Sequence, residues 1–160
     1  MDLATVVNQV LAVLTVLGQI FVVILVFLVL SKRTFPFSNL IREKALLFAF
    51  LVSLVALLGS LTYSEVIGYE PCKFCWTQRI FMYPQVLLLG MALWRKEKQI
   101  TDYIIALSLI GAIVAGYHYL LQLGVVPEIP CAAVGYSAAC SQKFVLQFGY
   151  ITIPMMAFTA

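Results

Sequence analysis

Long apolar segments separated by short polar ones dominate the chain. They cover residues 3–30, 45–64, 80–94, 103–127 and 144–160. A membrane-spanning helix needs about 20 predominantly apolar residues, and the first, second and fourth segments reach that length. The first segment has no basic residue before it and is longer than a signal peptide, so we expect it to be retained as a transmembrane helix. The pattern predicts a polytopic helical membrane protein.

The third segment is too short to span a membrane alone. Ile80 to Trp94 would extend about 22 Å at about 1.5 Å per residue, against a hydrocarbon core of about 30 Å. We therefore expect this helix to begin near Cys75, which places Arg79 one turn inside the membrane boundary. Pro84 should kink the helix without ending it. The fifth segment is also short, and we expect a truncated or early-ending helix with a kink at Pro154.

The composition supports a membrane protein. Hydrophobic residues make up 63% of the chain and charged residues 11%, and the mean hydropathy is +1.03. Soluble domains carry about 25% charged residues, so the expected surroundings are membrane lipid. The net charge of +3 is not gathered into a basic stripe, and we therefore expect no nucleic-acid partner.

Basic residues predict the orientation of the chain. Cytoplasmic loops are rich in Lys and Arg, and two of the polar segments hold seven such residues: Lys32, Arg33, Arg42, Lys44, Arg95, Lys96 and Lys98. The opposite side has only Lys73, Arg79 and Lys143. The N-terminus and residues 68–76 and 123–142 should therefore lie outside a bacterial cytoplasmic (inner) membrane. These outer segments contain all four cysteines, on the side where disulfides persist.

The first cysteine pair, Cys72 and Cys75, has the CxxC spacing just before a predicted helix. A helix N-terminus stabilises a thiolate, and Arg79, one turn beyond Cys75, should lower the thiolate pKa further. Redox chemistry is the favoured interpretation, with a structural disulfide or half of a metal site as alternatives.

The second pair, Cys131 and Cys140, lies in a short loop of mostly small residues. Such a loop suits a disulfide presented to another protein, but a bond that only staples the loop is an equal alternative for this pair alone. All four thiolates could instead form a Cys₄ zinc site. The spacing of the second pair is longer than zinc sites usually have, so we expect no metal.

His118 and Gln122 lie one helical turn apart on the fourth segment, near the depth expected for Arg79. Ionisable residues inside a membrane are candidates for function, although His118 could simply bond to a neighbouring helix. Together with Arg79 they could bind the polar head of a quinone, Arg79 stabilising oxyanion charge and His118 handling protons. Trp76 could border such a pocket, but an interfacial anchor is the preferred interpretation.

Three motifs together resemble the disulfide bond formation protein B family, including its Bdb-type thiol-disulfide oxidoreductase branch. They are Cys72-Lys-Phe-Cys75-Trp76-Thr-Gln78-Arg79, His118-Tyr-Leu-Leu-Gln122 and Gly149-Tyr-Ile-Thr-Ile-Pro154. The CxxC precedes the loop pair, unlike the order in vitamin K epoxide reductase relatives. The resemblance implies an all-α transmembrane helix bundle with a four-helix core in residues 43–160. Residues 1–42 would add an N-terminal transmembrane helix and a cytoplasmic loop, which the family core lacks.

The resemblance also implies an activity, protein-dithiol:quinone oxidoreduction. Cys131–Cys140 would accept electrons from an extracytoplasmic thioredoxin-fold thiol oxidase, a protein A or Bdb-type partner, which would attack Cys131. Exchange through a transient Cys72–Cys140 bond would reduce Cys72–Cys75. Cys75, nearest Arg79, would then meet ubiquinone or menaquinone.

A different class of function remains open from the residues alone. The chain could be a non-enzymatic membrane scaffold with structural disulfides or a Cys₄ zinc site. Four cysteines allow three pairings, and the sequence does not choose among them.

Overall fold

The computed structural model describes residues 2–31, 36–97, 99–127 and 139–160. These residues form five α-helices and no strand, which confirms the all-α prediction. The helices are α1 (Leu3–Leu30), α2 (Pro36–Leu61), α3 (Lys73–Arg95), α4 (Thr101–Gln122) and α5 (Ile153–Thr159). A short π-helical turn, Thr62–Val66, extends α2.

Three of these helices are long and apolar enough to cross a membrane. They cover Leu3–Leu28, Lys44–Val66 and Thr101–Gln122. Helix α3 has 23 residues and continues through Pro84 as predicted. It starts at Lys73, two residues earlier than expected, because Cys72 caps its first turn. The chain is therefore a helical membrane protein.

The helices pack in a ring. Helix α2 packs on α3, α3 on α4, α4 on α5, and α5 returns to α1. Two contacts show that α1 and α2 run antiparallel: Leu11 lies against Gly59, and the rings of Phe21 and Phe48 are 6.3 Å apart. Helices α1, α2, α3 and α5 line a cavity that opens beside the first cysteine pair.

The last apolar segment is not a single helix from Phe144, contrary to prediction. Residues 147–150 form a tight turn in which Tyr150 N–H donates to the Gln147 carbonyl. Its central residues, Phe148 and Gly149, have positive φ angles of 51° and 79°, as a type I′ turn requires. Helix α5 begins only at Ile153.

The prediction of a kink at Pro154 is also wrong. Pro154 lies in the first turn of α5, where its missing N–H breaks no hydrogen bond and its fixed φ suits a helix start. The proline therefore helps to begin this helix.

Candidate functional site: a buried cysteine pair beside a membrane cavity

Cys72 caps the N-terminus of α3. Its Sγ accepts the backbone N–H of Cys75 at 3.4 Å, and the residue is buried. Helix N-termini carry unpaired N–H groups and partial positive charge. The CxxC spacing thus brings a sulfur to the point where the helix best stabilises a thiolate.

The two sulfurs of the first pair are in contact. Cys72 and Cys75 are free thiols, with Sγ atoms 3.0 Å apart. The hydrogen bond from the Cys75 thiol lowers the pKa of Cys72 from its ordinary 9.0 to about 4, aided by His118 and opposed by burial. When Cys72 is a thiolate, Cys75 retains the proton that the two sulfurs share.

His118 joins the two cysteine segments. It is almost fully buried on α4, and its Nε2 lies 3.0 Å from the Cys140 carbonyl oxygen and 3.7 Å from Cys72 Sγ. A carbonyl oxygen only accepts, so Nε2 carries a hydrogen. Gln78 Nε2, 3.1 Å from Nδ1, then donates to the other ring nitrogen and holds this tautomer.

Cys140 lies in the same buried cluster as Cys72, together with Leu121 of α4. Cys140 is disulfide-bonded, and its partner lies outside the described residues, as does the predicted site residue Cys131. The structure therefore brings one sulfur of the outer loop beside the first pair.

Arg79 lies on the other side of the pair, buried against α2. Its Nε donates to Ser60 Oγ and its Nη2 to the Ser60 carbonyl, each at 3.0 Å. Its guanidinium also lies 5.2 Å from the Trp76 ring and 5.9 Å from the Tyr83 ring. Among the described residues no carboxylate forms an ion pair with it. A buried cation without a carboxylate partner is costly in a membrane, so Arg79 is a candidate functional residue.

A cavity of about 330 Å³ begins at this arginine. Its polar lining includes Cys75, Gln78, Arg79 and the exposed Glu70, and mostly apolar side chains of α1, α2 and α5 line much of the rest. Ligand pockets are typically about 300–1,000 Å³, mostly apolar, with a few polar groups. The cavity fits an amphipathic ligand with a compact polar ring.

The structure separates the predicted quinone-binding residues into two groups. Arg79 faces the cavity, whereas His118 and Gln122 lie behind Cys75, in a closely packed region with a void of only about 10 Å³. Gln122 donates to the Gln142 carbonyl at 3.0 Å. Trp76 is 56% exposed and contacts Arg79 without lining the cavity.

The first pair and His118 offer three ligand atoms within 4.8 Å of one another. A Cys₄ zinc site would need thiolates from both pairs. Cys140, as a disulfide sulfur, does not supply one, so the described arrangement does not favour that alternative.

Several contributing residues were not predicted from the sequence. Gln78 lies within the quoted CxxC motif, and its polarity one turn beyond Cys75 was an available signal. No feature of the sequence marks Ser60, which binds Arg79, because it is one small residue in an apolar helix. Tyr69 stacks on Tyr63 and Phe144, with ring centroids 5.8 and 5.1 Å apart, and joins segments that are distant in sequence.

Comparison with known proteins identifies the family. The family described as "Disulfide bond formation protein DsbB" matches residues 42–158. The chain belongs to the DsbB family. This confirms the resemblance and assigns the protein to the membrane machinery of disulfide-bond formation, with an oxidoreductase role and a thiol–disulfide partner.

Individual relatives agree with this assignment. The chain is 43% identical over 116 residues to "Probable disulfide formation protein C" of Bacillus cereus, covering 72% of this chain and 83% of the relative. It is 40% identical to "Disulfide bond formation protein C" of Bacillus subtilis, covering 70% and 80%. No solved structure gives a significant match.

Proposed function

We propose that this DsbB-family protein passes electrons from an extracytoplasmic thioredoxin-fold thiol oxidase to a membrane quinone, ubiquinone or menaquinone. The N-terminus and both cysteine segments would face outward across the bacterial cytoplasmic membrane, in agreement with the distribution of basic residues. The observation that carries the proposal is the position of Cys75. It touches Cys72 on one side and lines the cavity of Arg79 on the other.

The outer pair would receive the electrons first. A partner thiolate attacks Cys131 of the Cys131–Cys140 disulfide and releases Cys140 as a thiolate. The partner's second thiolate then resolves the mixed disulfide, which leaves the partner oxidised and the outer pair reduced by two electrons.

The electrons would next move to the inner pair. The Cys140 thiolate attacks Cys72 of a Cys72–Cys75 disulfide, and Cys75 leaves. Cys131 then attacks Cys140, which restores the outer disulfide and releases Cys72. A thiolate of low pKa leaves faster, so the stabilisation of Cys72 favours this last step. The shared buried cluster of Cys72 and Cys140 supports direct exchange.

His118 and Gln122 act in this proposal as positioning residues. The Nε2–H of His118 is shared between the Cys140 segment and Cys72, so it holds the two sulfur centres together. Gln122 anchors the chain two residues beyond Cys140 through its bond to Gln142.

The cavity is the proposed quinone site. A quinone accepts two electrons and two protons, which would return Cys72 and Cys75 to a disulfide. Arg79 places positive charge at the polar end, and its guanidinium keeps three N–H groups beyond the two bound to Ser60. These groups can orient a ring oxygen beside Cys75 and stabilise negative charge there.

A single-turnover experiment tests this function. Protein reduced at Cys72 and Cys75 is mixed anaerobically with quinone, and quinol and remaining thiols are counted. We expect one quinol for each pair of thiols lost. Arg79→Met should raise the quinone concentration needed for half-maximal rate by about tenfold to a hundredfold, as for loss of an electrostatic contact to a reacting oxygen.

The matched control is Lys73→Met, which removes an exposed cation from the same helix. It should behave as wild type. If thiols are not lost when quinone is present, or if both variants behave alike, the proposed quinone site is incorrect.

A further inference from the structure

Helix α1 contributes an unexpected wall to the cavity. Four of its residues, Leu11, Leu14, Thr15 and Gly18, line it. Their spacing of three and four residues places them on one helical face. Because the family match begins at residue 42, this wall comes from a part of the chain outside the matched region.

The same face of α1 is closely docked. Ala12 and Thr15 are buried, and Leu11 packs against Gly59, where an added Cβ would be 3.3 Å from both of its methyl groups. A Cβ on Gly18 would likewise be 3.3 Å from Thr159 of α5. The two glycines thus allow α1 to approach both neighbours.

Polar contacts fix α1 against α5 and the turn that precedes it. Gln19 Nε2 donates to Thr159 Oγ1 at 3.3 Å, and the Tyr150 hydroxyl donates to Gln19 Oε1 at 2.9 Å. Tyr150 in turn accepts, through its carbonyl, the Tyr119 hydroxyl of α4 at 3.2 Å. An amide inside an apolar helix is costly unless it is bonded, so Gln19 specifies one register for α1.

The cavity extends along α2. Its lining on α2 runs from Ser60, which binds Arg79, to Leu51. These ten residues of helix, separated by nine rises of about 1.5 Å, span about 13.5 Å. The end near Leu51 is lined by apolar groups, including Leu14 and Gly18, whereas the charge lies at the opposite end.

We propose that α1 forms part of the quinone-binding site and that Leu14 contacts the isoprenoid tail of the bound quinone. This inference rests on the proposed function. The ring lies at the Arg79 end, and the tail follows the α1 lining from Leu14 towards Gly18. Helix α1 then determines how well a tailed quinone is held relative to the bare ring.

The test compares Leu14→Trp with Leu17→Trp in the full-length protein. The two leucines are one turn apart and similarly exposed, at 45% and 56%, but only Leu14 lines the cavity. Turnover with reduced partner is measured with a naphthoquinone or benzoquinone ring carrying an isoprenoid tail, and with the same ring without it. Leu14→Trp should raise the KM for the tailed quinone by about tenfold, as overpacking of a filled site does, with a smaller effect on the bare ring. Leu17→Trp should change neither.

Quinone-independent thiol exchange with the partner is measured for each variant to show that it is folded. If Leu14→Trp does not fold, Leu14→Ala should raise the tailed-quinone KM by roughly threefold through lost apolar contact. If the wild-type protein turns over and the Leu14 and Leu17 variants have the same KM values, the proposed role of α1 is wrong. Equal loss for tailed and bare rings would overturn the tail contact. Wild type that exchanges thiols but does not reduce quinone would instead refute the proposed function.

Discussion

Cys72 and Cys75 are adjacent in space but differ in environment. Cys72 receives a thiol hydrogen bond, a backbone N–H and the imidazole of His118, all of which favour its thiolate. Cys75 faces the cavity that holds Arg79. The asymmetry suits the proposed mechanism, in which Cys72 exchanges with the outer pair and Cys75 meets the electron acceptor.

The asymmetry predicts an unusual pH dependence of Cys72 alkylation in the reduced protein. The pKa of Cys72 is lower in the folded protein than in the unfolded chain, where it is 9.0. The thiolate therefore stabilises the folded protein fully above pH 9.0, and this stabilisation is lost as the pH falls towards about 4. The alkylation rate at Cys72 should therefore stay high at neutral pH and fall with a midpoint near 4.

His118→Ala provides the comparison, since it removes one of the groups that stabilise the thiolate, and its midpoint should lie higher. Mass spectrometry of peptides containing Cys72 measures both profiles in a background where Cys131 and Cys140 are serine. A wild-type midpoint near 9 would contradict the assignment of Cys72 as the stabilised thiolate.

Part of the site at this scale follows from the sequence. The CxxC spacing predicts a thiolate at a helix start, because capping depends on local helical geometry. The groups that lower the pKa of Cys72 are Cys75 and His118, and not Arg79 as expected. Whether that thiolate belongs to Cys72 or Cys75 depends on His118, 43 residues beyond Cys75, and on the Sγ contact. These interactions arise from tertiary packing, which local spacing does not specify.

At the scale of elements, an aromatic stack connects the two cysteine segments. Tyr69 lies three residues before Cys72, and its ring stacks on Phe144, four residues after Cys140, and on Tyr63 of the π-helical turn. The stack fixes the position of one cysteine segment relative to the other, which their short, turn-rich sequences do not do by themselves.

Tyr69→Ala should destabilise the protein and slow exchange between the cysteine pairs. Two aromatic pairs contribute about 1–3 kcal/mol together beyond their buried area, and Tyr69→Phe should retain most of it. Thermal unfolding in detergent and the rate of inner-pair reduction measure the two effects. Tyr103→Ala is the control, because that ring is 71% exposed. Equal effects of the alanine variants would show that the stack does not position the loops.

The long helices were predictable because their apolar length matches the bilayer. The start of α3 and the form of residues 144–152 were not, since capping by Cys72 and the Phe148–Gly149 turn override the apolar pattern locally. The turn explains why the apolar segment does not become a helix before Ile153.

At the scale of the whole molecule, the ring of helices separates two tasks. On one side, the inner cysteine pair is covered by α4 and the segment after Cys140. On the other side, the cavity is enclosed by α3 together with α1, α2 and α5. Arg79, His118 and Gln122 were predicted to lie at similar depth and therefore to act together. Depth alone does not reveal that Arg79 lies on one side of the cysteine pair and that His118 and Gln122 lie on the other.

The central claim is that Cys75 connects thiol exchange to a membrane quinone. The most direct measurement is steady-state oxidation of a reduced thioredoxin-fold partner by the purified, lipid-embedded protein, with quinone as the sole electron acceptor. We predict catalytic turnover by wild type. Cys75→Ser should lose turnover yet still form a mixed disulfide with the partner. Full turnover by Cys75→Ser, or partner oxidation by wild type that does not consume quinone, would contradict the account.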